Sequence, residues 1–139
     1  MTRKAIQAAV AVMLLLTLST ALLAQRNRDK DRGGRWIYLG EANVDGRADH
    51  DKISVGKSEG RFRELQIRVE RAPIEFQRVV VHYSDGGDEE LPVRERIRAG
   101  SETRPLDLRG RERNINSVEF WYARARSNSE KPKLRLYGR

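Results

Sequence analysis

The stretch FRELQIRVERAPIEFQRVVVHYSDGGD, residues 62–88, decides the fold. Its apolar residues recur at every second position, first at Leu65, Ile67 and Val69 and again beyond the proline. A period of two predicts strands that each bury one face. The segment Ser84–Asp88 then predicts a hairpin loop, because its two glycines can adopt positive φ.

The same pattern continues on both sides of this stretch. A change of phase between Phe76 and Val79 predicts a bulge or a bend. Leu91–Val93 is expected to begin an edge strand, because Pro92 cannot donate a backbone hydrogen bond. About eight short strands separated by turns predict an all-β fold, a single small antiparallel β-sandwich of jelly-roll-like type. The remaining strand candidates are Trp36–Leu39, which ends at Gly40, then Ile53–Val55, Leu106–Leu108, Asn116–Ala123 and Leu134–Leu136.

The composition of the 139-residue chain excludes several classes of protein. A charged fraction of 35% and a mean hydropathy of -0.72 exclude a polytopic membrane protein. The lack of cysteine excludes a disulfide scaffold, a thiolate zinc site and a cysteine nucleophile. Only His50 and His82 could serve as histidine bases, and His82 is expected on the outer face of a strand in a structural role. We therefore expect neither an enzyme nor a cofactor.

Residues 1–24 have the pattern of a secretory signal peptide, predicted as a helix. Arg3 and Lys4 precede an apolar run that ends at Ala24. Cleavage after Ala21 and cleavage after Ala24 both fit, and an uncleaved membrane anchor is the alternative. In each case the rest of the chain is expected in the periplasm or outside the cell.

The remaining chain divides by composition into two parts. Residues 25–35, QRNRDKDRGGR, lack aliphatic side chains and alternate in charge, which predicts a disordered linker. Residues 36–139 carry all of the strand candidates and are expected to form the β-sandwich domain.

Several strings of this domain are shared with one protein family. They are WIYLGEANVDGRADHDKISVGKSEGRFRELQIRVE (36–70), VVVHYSDGG (79–87), LPVRERIRAG (91–100), RPLDLRGRERNINSVEFWY (104–122) and LRLYGR (134–139). Through them the chain resembles a family of small exported bacterial proteins, domain-of-unknown-function family number 2541. The resemblance implies an exported β-sandwich without an assigned function and with no catalytic residues to carry across.

Charge is distributed unevenly along the domain. Residues 36–90 have a net charge of -4, whereas residues 91–139 have a net charge of +7. Arginine side chains bind carboxylate, phosphate or sulfate groups through paired hydrogen bonds, so the second half is a candidate for contact with an anionic polymer. The candidate residues are Arg94, Arg96, Arg98, Arg104, Arg109, Arg111 and Arg113, with Trp121 as a possible stacking platform for a sugar ring.

A structural interpretation of the same residues remains open. Acidic residues such as Glu95 and Glu112 interleave with the arginines, and opposite charges across strands are ordinary sheet stabilisation. Arg94, Arg96 and Arg98 would line one face only if they belong to one strand. Trp121 could equally be covered on a central strand.

A candidate for a metal site lies in the string DGRADHD. Asp45, Asp49 and Asp51 could supply oxygen ligands to calcium, although a basic residue lies among them. A second acidic group, Asp85 and residues 88–90, is more simply interpreted as a polar hairpin tip.

Together these features favour an exported binding module over an enzyme. The expected partners are an anionic polysaccharide, a lipid head group or an envelope protein, and no intracellular nucleic acid is expected. Contact with a membrane is expected only through residues 1–24, if they are not removed. One alternative is a structural or protein-partner module that uses a sheet edge near Pro92. A glycan hydrolase is the third possibility.

Overall fold

The computed structural model describes residues 34–44, 50–56, 59–123 and 130–139. The predicted signal segment 1–24 and residues 25–33 of the predicted linker lie outside this part of the chain. The folded unit extends from Trp36 to Arg139. Its described residues contain no α-helix, as an all-β fold requires.

The described residues form nine strands, close to the predicted number. Buried side chains alternate with less buried ones most regularly in β3 and β9. The strands are β1 Ile37–Asn43, β2 His50–Ser54, β3 Glu64–Glu70, β4 Ile74–Tyr83, β5 Asp88–Leu91, β6 Arg96–Ile97, β7 Leu106–Asp107, β8 Ile115–Ala123 and β9 Lys133–Gly138.

The strands build two antiparallel sheets that pack on each other. Sheet A has the order β1-β9-β3-β7, and sheet B has the order β2-β8-β4-β5, with β6 pairing with β4 as well. The chain passes from one sheet to the other at every connection except those within β4-β5-β6. This connectivity is that of a jelly roll in which β5 and β6 together take the place of one strand. The predicted β-sandwich is confirmed.

The inward-facing side chains of both sheets form one apolar core. Leu65, Ile67 and Val69 of β3 are fully buried, as the alternation predicts. The predicted change of phase in β4 is a register shift against β8 between Phe76 and Arg78. Burial of each large apolar side chain contributes roughly 1.5–3 kcal/mol to stability, so this core dominates the energetics of the fold.

Among the strand boundaries that differ from the prediction, those of β1 and β5 have a clear structural reason. β1 does not end at Gly40 but continues to Asn43, with a register shift at the glycine. A Cβ atom on Gly40 would lie 2.7 Å from Cγ2 of Ile53, so the glycine permits β1 to pass close to β2. β5 ends at Leu91, where a strand was predicted to begin, because the chain leaves the sheet at Pro92.

The sandwich has two opposite ends, which we call the hairpin end and the turn end. The hairpin end carries the β4–β5 loop Ser84–Gly87, the segments Arg61–Arg63 and Arg109–Asn114, and the paired residues Ile37 and Gly138 of β1 and β9. The turn end, opposite to it, carries the β3–β4 connection and the turn that follows β6.

Candidate functional site

The seven candidate arginines do not form a single row. Arg94, Arg96 and Arg98 follow the first half of β4 towards the turn end, and only Arg96 belongs to a strand. β4 has ten residues, so the turn end and the hairpin end are roughly 30 Å apart. Arg104 lies in the segment beside β3, and the other three, Arg109, Arg111 and Arg113, lie at the hairpin end.

The arginines also differ in their partners. Arg94 Nη2 lies 3.4 Å from a carboxylate oxygen of Glu90, and Arg113 Nη2 lies 2.7 Å from Oδ2 of Asp85. Arg109 Nε lies 3.8 Å from Glu89 with most of its side chain exposed. Within the described part of the chain, four of the seven have no carboxylate partner and keep their guanidinium groups exposed: Arg96, Arg98, Arg104 and Arg111.

A polar pocket of about 440 Å³ opens at the hairpin end. Its walls come from three segments that are far apart in sequence, because the bridge between Phe62 and Arg113 joins the start of β3 to the segment before β8. Guanidinium groups, carboxylates, a hydroxyl and an amide therefore face one space. The lining residues are Arg61, Ser84, Asp85, Glu112, Arg113 and Asn114.

The guanidinium group of Arg113 is held in a fixed position in this pocket. Its Cζ atom lies 3.6 Å above the centre of the Tyr83 ring, a cation–π contact, while Asp85 holds the other side. Asp85 in turn accepts a hydrogen bond of 3.0 Å from the backbone N–H of Gly87. That backbone hydrogen bond and the Arg113 side chain lower the pKa of Asp85, so the pair remains ionised into the acidic range.

A buried carboxylate lies beneath the pocket. Glu89 is only 6% exposed, and its Oε2 accepts hydrogen bonds from the Tyr83 hydroxyl and from the backbone N–H of Arg109, the latter at 2.9 Å. These bonds connect the β4–β5 hairpin to the segment that carries the hairpin-end arginines. Glu89 thus fixes the position of the loop beside it.

Arg61 and Glu112 complete the pocket. Arg61 Nη2 donates a hydrogen bond of 2.9 Å to the carbonyl oxygen of Glu112, and the Glu112 carboxylate lies 3.2 Å from Nη2 of Arg63. The three segments Arg61–Arg63, Ser84–Gly87 and Arg109–Asn114 contain five arginines and two acidic residues. Asp85 and Glu112 pair with Arg113 and Arg63, and Glu89 lies beside Arg109. Arg61 and Arg111 are therefore the arginines of these segments that have no carboxylate partner among the described residues.

Burial and the hydrogen bond to Glu89 raise the pKa of Tyr83 above its ordinary value of 10.0. A group whose pKa is raised in the folded state contributes stability below its unfolded pKa, and this contribution is lost as the pH rises beyond that value. We therefore expect the free energy of unfolding to fall above pH 10 more steeply in the wild type than in Tyr83→Phe. Denaturant titrations at pH 9 and pH 11 measure this difference, and equal slopes for the two proteins would contradict it.

Trp121 lies on the outer face of sheet B and is half-buried there. The His50 ring stacks on it with the ring centres 4.5 Å apart, and the Arg78 guanidinium lies 5.0 Å from the ring centre. Its neighbours therefore already occupy much of the indole surface, which reduces what it offers to a sugar.

The same face carries both histidines. His50 Nε2 lies 3.1 Å from Oε2 of Glu119, and His82 Nδ1 lies 2.6 Å from Oδ1 of Asp88. His82 is thus on the outer face of its strand, as expected, and neither histidine lines the hairpin-end pocket.

The candidate metal ligands are only partly described. Asp45 and Asp49 lie outside the described residues. Asp51 accepts a hydrogen bond of 2.5 Å from the hydroxyl of Tyr122. Within the described ranges no group of three or more histidine, aspartate or glutamate side chains is arranged to hold a metal ion.

Three residues of the pocket region were not singled out as site residues from the sequence. Glu89 was grouped with the polar hairpin tip, although its spacing of two from the apolar Leu91 indicates the buried side of a strand. The alternation before the hairpin loop puts Tyr83 only on the apolar side of its strand, and Arg61 precedes β3 in a segment whose position is set by the distant pairing of Phe62 with Arg113. Only Glu89 had a local signal that could have identified it.

The comparisons with known proteins identify the family of the chain. No curated protein and no solved structure is significantly similar to the chain. In the described residues no helix has the length and apolar character needed to cross a membrane. The family described as "Domain of unknown function (DUF2541)" matches residues 9–138, which confirms the resemblance seen in the sequence. Because this match covers nearly the whole chain, the protein belongs to the DUF2541 family.

Proposed function

We propose that the protein is exported and acts as a non-catalytic binding module that takes an anionic component of the cell envelope at its hairpin end. The observation that carries the proposal is a preformed polar pocket beside which two arginines, Arg61 and Arg111, have no carboxylate partner among the described residues. Export is supported by the basic start and apolar run of residues 1–24.

The pocket has donors that are already oriented for a carboxylate or phosphate group. Arg113 is restrained by Asp85 and Tyr83, so little side-chain entropy is lost when it binds an anion. Arg61 uses one of its N–H groups on a carbonyl oxygen and keeps the others for a ligand. Arg111 is exposed in the same segment and extends the positive surface.

The arginines outside the hairpin end support the proposal less well. Arg96 lies opposite Glu75 across the strand pair, and Glu95 and Glu102 are in the same region as Arg98 and Arg104. Positive and negative side chains are therefore nearly balanced there, which favours an internally compensated surface.

Binding is preferred to catalysis because the two histidines contact carboxylates on the outer face of sheet B, away from the pocket. The alternative of a protein partner at the sheet edge near Pro92 is less favoured. That edge offers only the four residues of β5 and the two of β6, separated by the chain around Pro92, so a partner strand would find few consecutive hydrogen-bonding positions.

The proposal predicts a specific response to charge reversal. In the exported protein, Arg61→Glu with Arg111→Glu is expected to weaken binding to polygalacturonate, a soluble carboxylate polymer, by about a hundredfold at low salt, because two attractive contacts become repulsive. Isothermal titration calorimetry at low and high salt measures this change, and wild-type affinity is expected to fall as salt rises.

The matched control is Arg96→Glu with Arg98→Glu, which alters net charge equally but lies away from the pocket. It is expected to retain most of the affinity. If the control lost binding while Arg61→Glu with Arg111→Glu retained it, the polymer would contact the arginines near the turn end instead. Equal affinity of all three proteins would contradict an arginine contact altogether.

A further inference from the structure

We propose that the hairpin-end pocket takes a single uronic acid unit, a sugar ring that carries several hydroxyl groups and one carboxylate. This inference rests on the proposed function, because it names the chemical class of the anionic component. It differs from a general affinity for negative charge, since most of the contacts are hydrogen bonds to hydroxyl groups and only one contact is ionic.

The charged groups that line the pocket are balanced in number. Its cations are Arg61 and Arg113, and two carboxylates face the same space. Arg113 is already paired with one of them, because its Nη2 lies 2.7 Å from Oδ2 of Asp85. A ligand with a high density of negative charge would approach two carboxylates of its own sign, which is unfavourable. The pocket therefore suits a ligand with few charges and many polar groups.

Arg61 is the lining cation that is available for an ionic contact. It has no carboxylate partner among the described residues, and its Nη2 donates a hydrogen bond of 2.9 Å to the carbonyl oxygen of Glu112. That bond restrains the guanidinium group and leaves further N–H donors for a ligand. A guanidinium group binds a carboxylate through two parallel hydrogen bonds. One acidic group in the ligand matches this site.

Two neutral side chains of the lining have hydrogen-bonding capacity that the protein does not use. The Ser84 hydroxyl and the Asn114 amide are exposed, and neither side chain has a hydrogen-bond partner within the described part of the chain. Their backbones are joined, since the N–H of Ser84 donates to the carbonyl oxygen of Asn114 at 2.9 Å. A hydroxyl and an amide both donate and accept hydrogen bonds, which is the capacity that sugar hydroxyl groups need.

The carboxylates of the lining supply acceptors for the same hydroxyl groups. Asp85 accepts one hydrogen bond from the backbone N–H of Gly87 and one from Arg113, on different oxygens, so both oxygens keep a further acceptor position. A hydroxyl group that donates to an ionised carboxylate forms a charge-assisted hydrogen bond, which is stronger than a bond between neutral groups. A sulfate ester has no hydrogen to donate there. The lining thus favours a sugar acid over a sulfated polymer.

The size of the pocket agrees with a sugar ligand. Its volume of about 440 Å³ lies in the range of small-molecule sites, roughly 300–1,000 Å³. The walls are held together before a ligand binds, because the backbone groups of Phe62 and Arg113 exchange two hydrogen bonds. Since the pocket is open to solvent, a polymer can place one unit in it while the neighbouring units remain outside.

The test uses the exported protein recovered from a periplasmic extract. Trisaccharides of galacturonate and of glucuronate are titrated into it by isothermal titration calorimetry at about 0.15 M salt, where long-range attraction between charges is screened. We expect at least one trisaccharide to bind and to displace polygalacturonate. Its methyl ester, which lacks the negative charge, is expected to bind at least about tenfold more weakly. Dextran sulfate is expected to bind more weakly than polygalacturonate, although its charge density is higher.

A substitution without a change of charge tests the hydrogen bonds to the sugar. Asn114→Ala removes the amide and is expected to lower the trisaccharide affinity about fivefold to tenfold. The matched control is Asn116→Ala, because Asn116 is exposed on β8 and does not line the pocket. The control is expected to retain the wild-type affinity. Equal affinities of Asn114→Ala and the wild type would overturn the inference.

A second variant tests which residue binds the carboxylate. In Arg61→Gln, the acid and its methyl ester are expected to bind with affinities within about twofold of each other, because the group that distinguishes them is gone. A merely structural role of Arg61 would weaken both ligands alike and preserve the preference for the acid. A preference of about tenfold in this variant would therefore contradict the ionic contact at Arg61.

The remaining outcomes separate this inference from the proposed function. Binding of polygalacturonate without competition by either trisaccharide would refute a pocket for one uronic acid unit and leave the proposed function intact. An affinity for dextran sulfate equal to or above that for polygalacturonate would refute the selection of a sugar acid and would also leave the proposed function intact. Failure to bind any of these probes would overturn both.

Discussion

Replacement of Phe62 by alanine is expected to lower the free energy of unfolding by about 3–5 kcal/mol, the largest effect of any single change considered. Phe62 is 1% exposed and bridges to Arg113 at the hairpin end. Its ring occupies the space that a side chain at Gly138 would take, since a Cβ atom there would lie 2.6 Å from Cδ1 of Phe62. Truncation leaves a cavity between the two sheets that the rigid strands cannot close.

Chemical denaturation measures this loss in the free energy of unfolding, and further variants serve as controls. Arg111→Ala truncates an exposed side chain that has no carboxylate partner among the described residues and is expected to change stability by less than about 0.5 kcal/mol. Gly138→Ala alone is expected to destabilise through the clash with the ring, whereas Phe62→Leu with Gly138→Ala is expected to cost less than the sum of the single changes. Strictly additive costs would show that the ring does not fill the space at Gly138.

Glu89→Ala is expected to lower the free energy of unfolding by about 2–4 kcal/mol, because one buried and one partly buried donor lose their acceptor. The hydroxyl of Tyr83 and the backbone N–H of Arg109 both donate to this carboxylate. Removal of one member of a buried polar network is costly, since the others are left without partners and without water.

The matched variant Glu89→Gln keeps an acceptor oxygen and is expected to lose less stability. A double-mutant cycle with Tyr83→Phe is expected to give a coupling above about 0.5 kcal/mol. Polygalacturonate affinity of Glu89→Ala, measured below its unfolding transition, is expected to fall as well, because Arg109 and its segment lose their attachment to the hairpin. A stability change of Glu89→Ala under about 0.5 kcal/mol would show that the network does not support the hairpin end.

The buried face of each strand was largely predictable from the sequence. The strands that pair with it were not. Alternation at Leu65, Ile67 and Val69 indicates which side chains are buried, since a period of two requires one inward face. It contains no information about which strand lies beside β3, because that pairing joins residues far apart in the chain. The place of β9 between β1 and β3 was therefore known only from the structure.

The candidate site shows the same limit. The spacing of Arg94, Arg96 and Arg98 predicts a common face only on an unbroken strand, and the chain around Pro92 leaves the sheet before β6 begins. The hairpin-end pocket depends on the bridge between Phe62 and Arg113, a long-range contact that no local pattern encodes. The charge pattern indicated the arginines as candidates. The strand topology determines which of these arginines lie close together.

The pairing of Ile37 with Gly138 has a practical consequence for handling the protein. The two ends of the folded unit are neighbours, because paired residues of adjacent strands are about 5 Å apart. An affinity tag fused directly before Trp36 or after Arg139 would therefore lie at the same end of the folded unit as Arg61 and Arg113. A circular permutant that joins Arg139 to Trp36 through a short linker and opens the chain at Gly100, which is exposed on the opposite end, would move both termini away from those arginines.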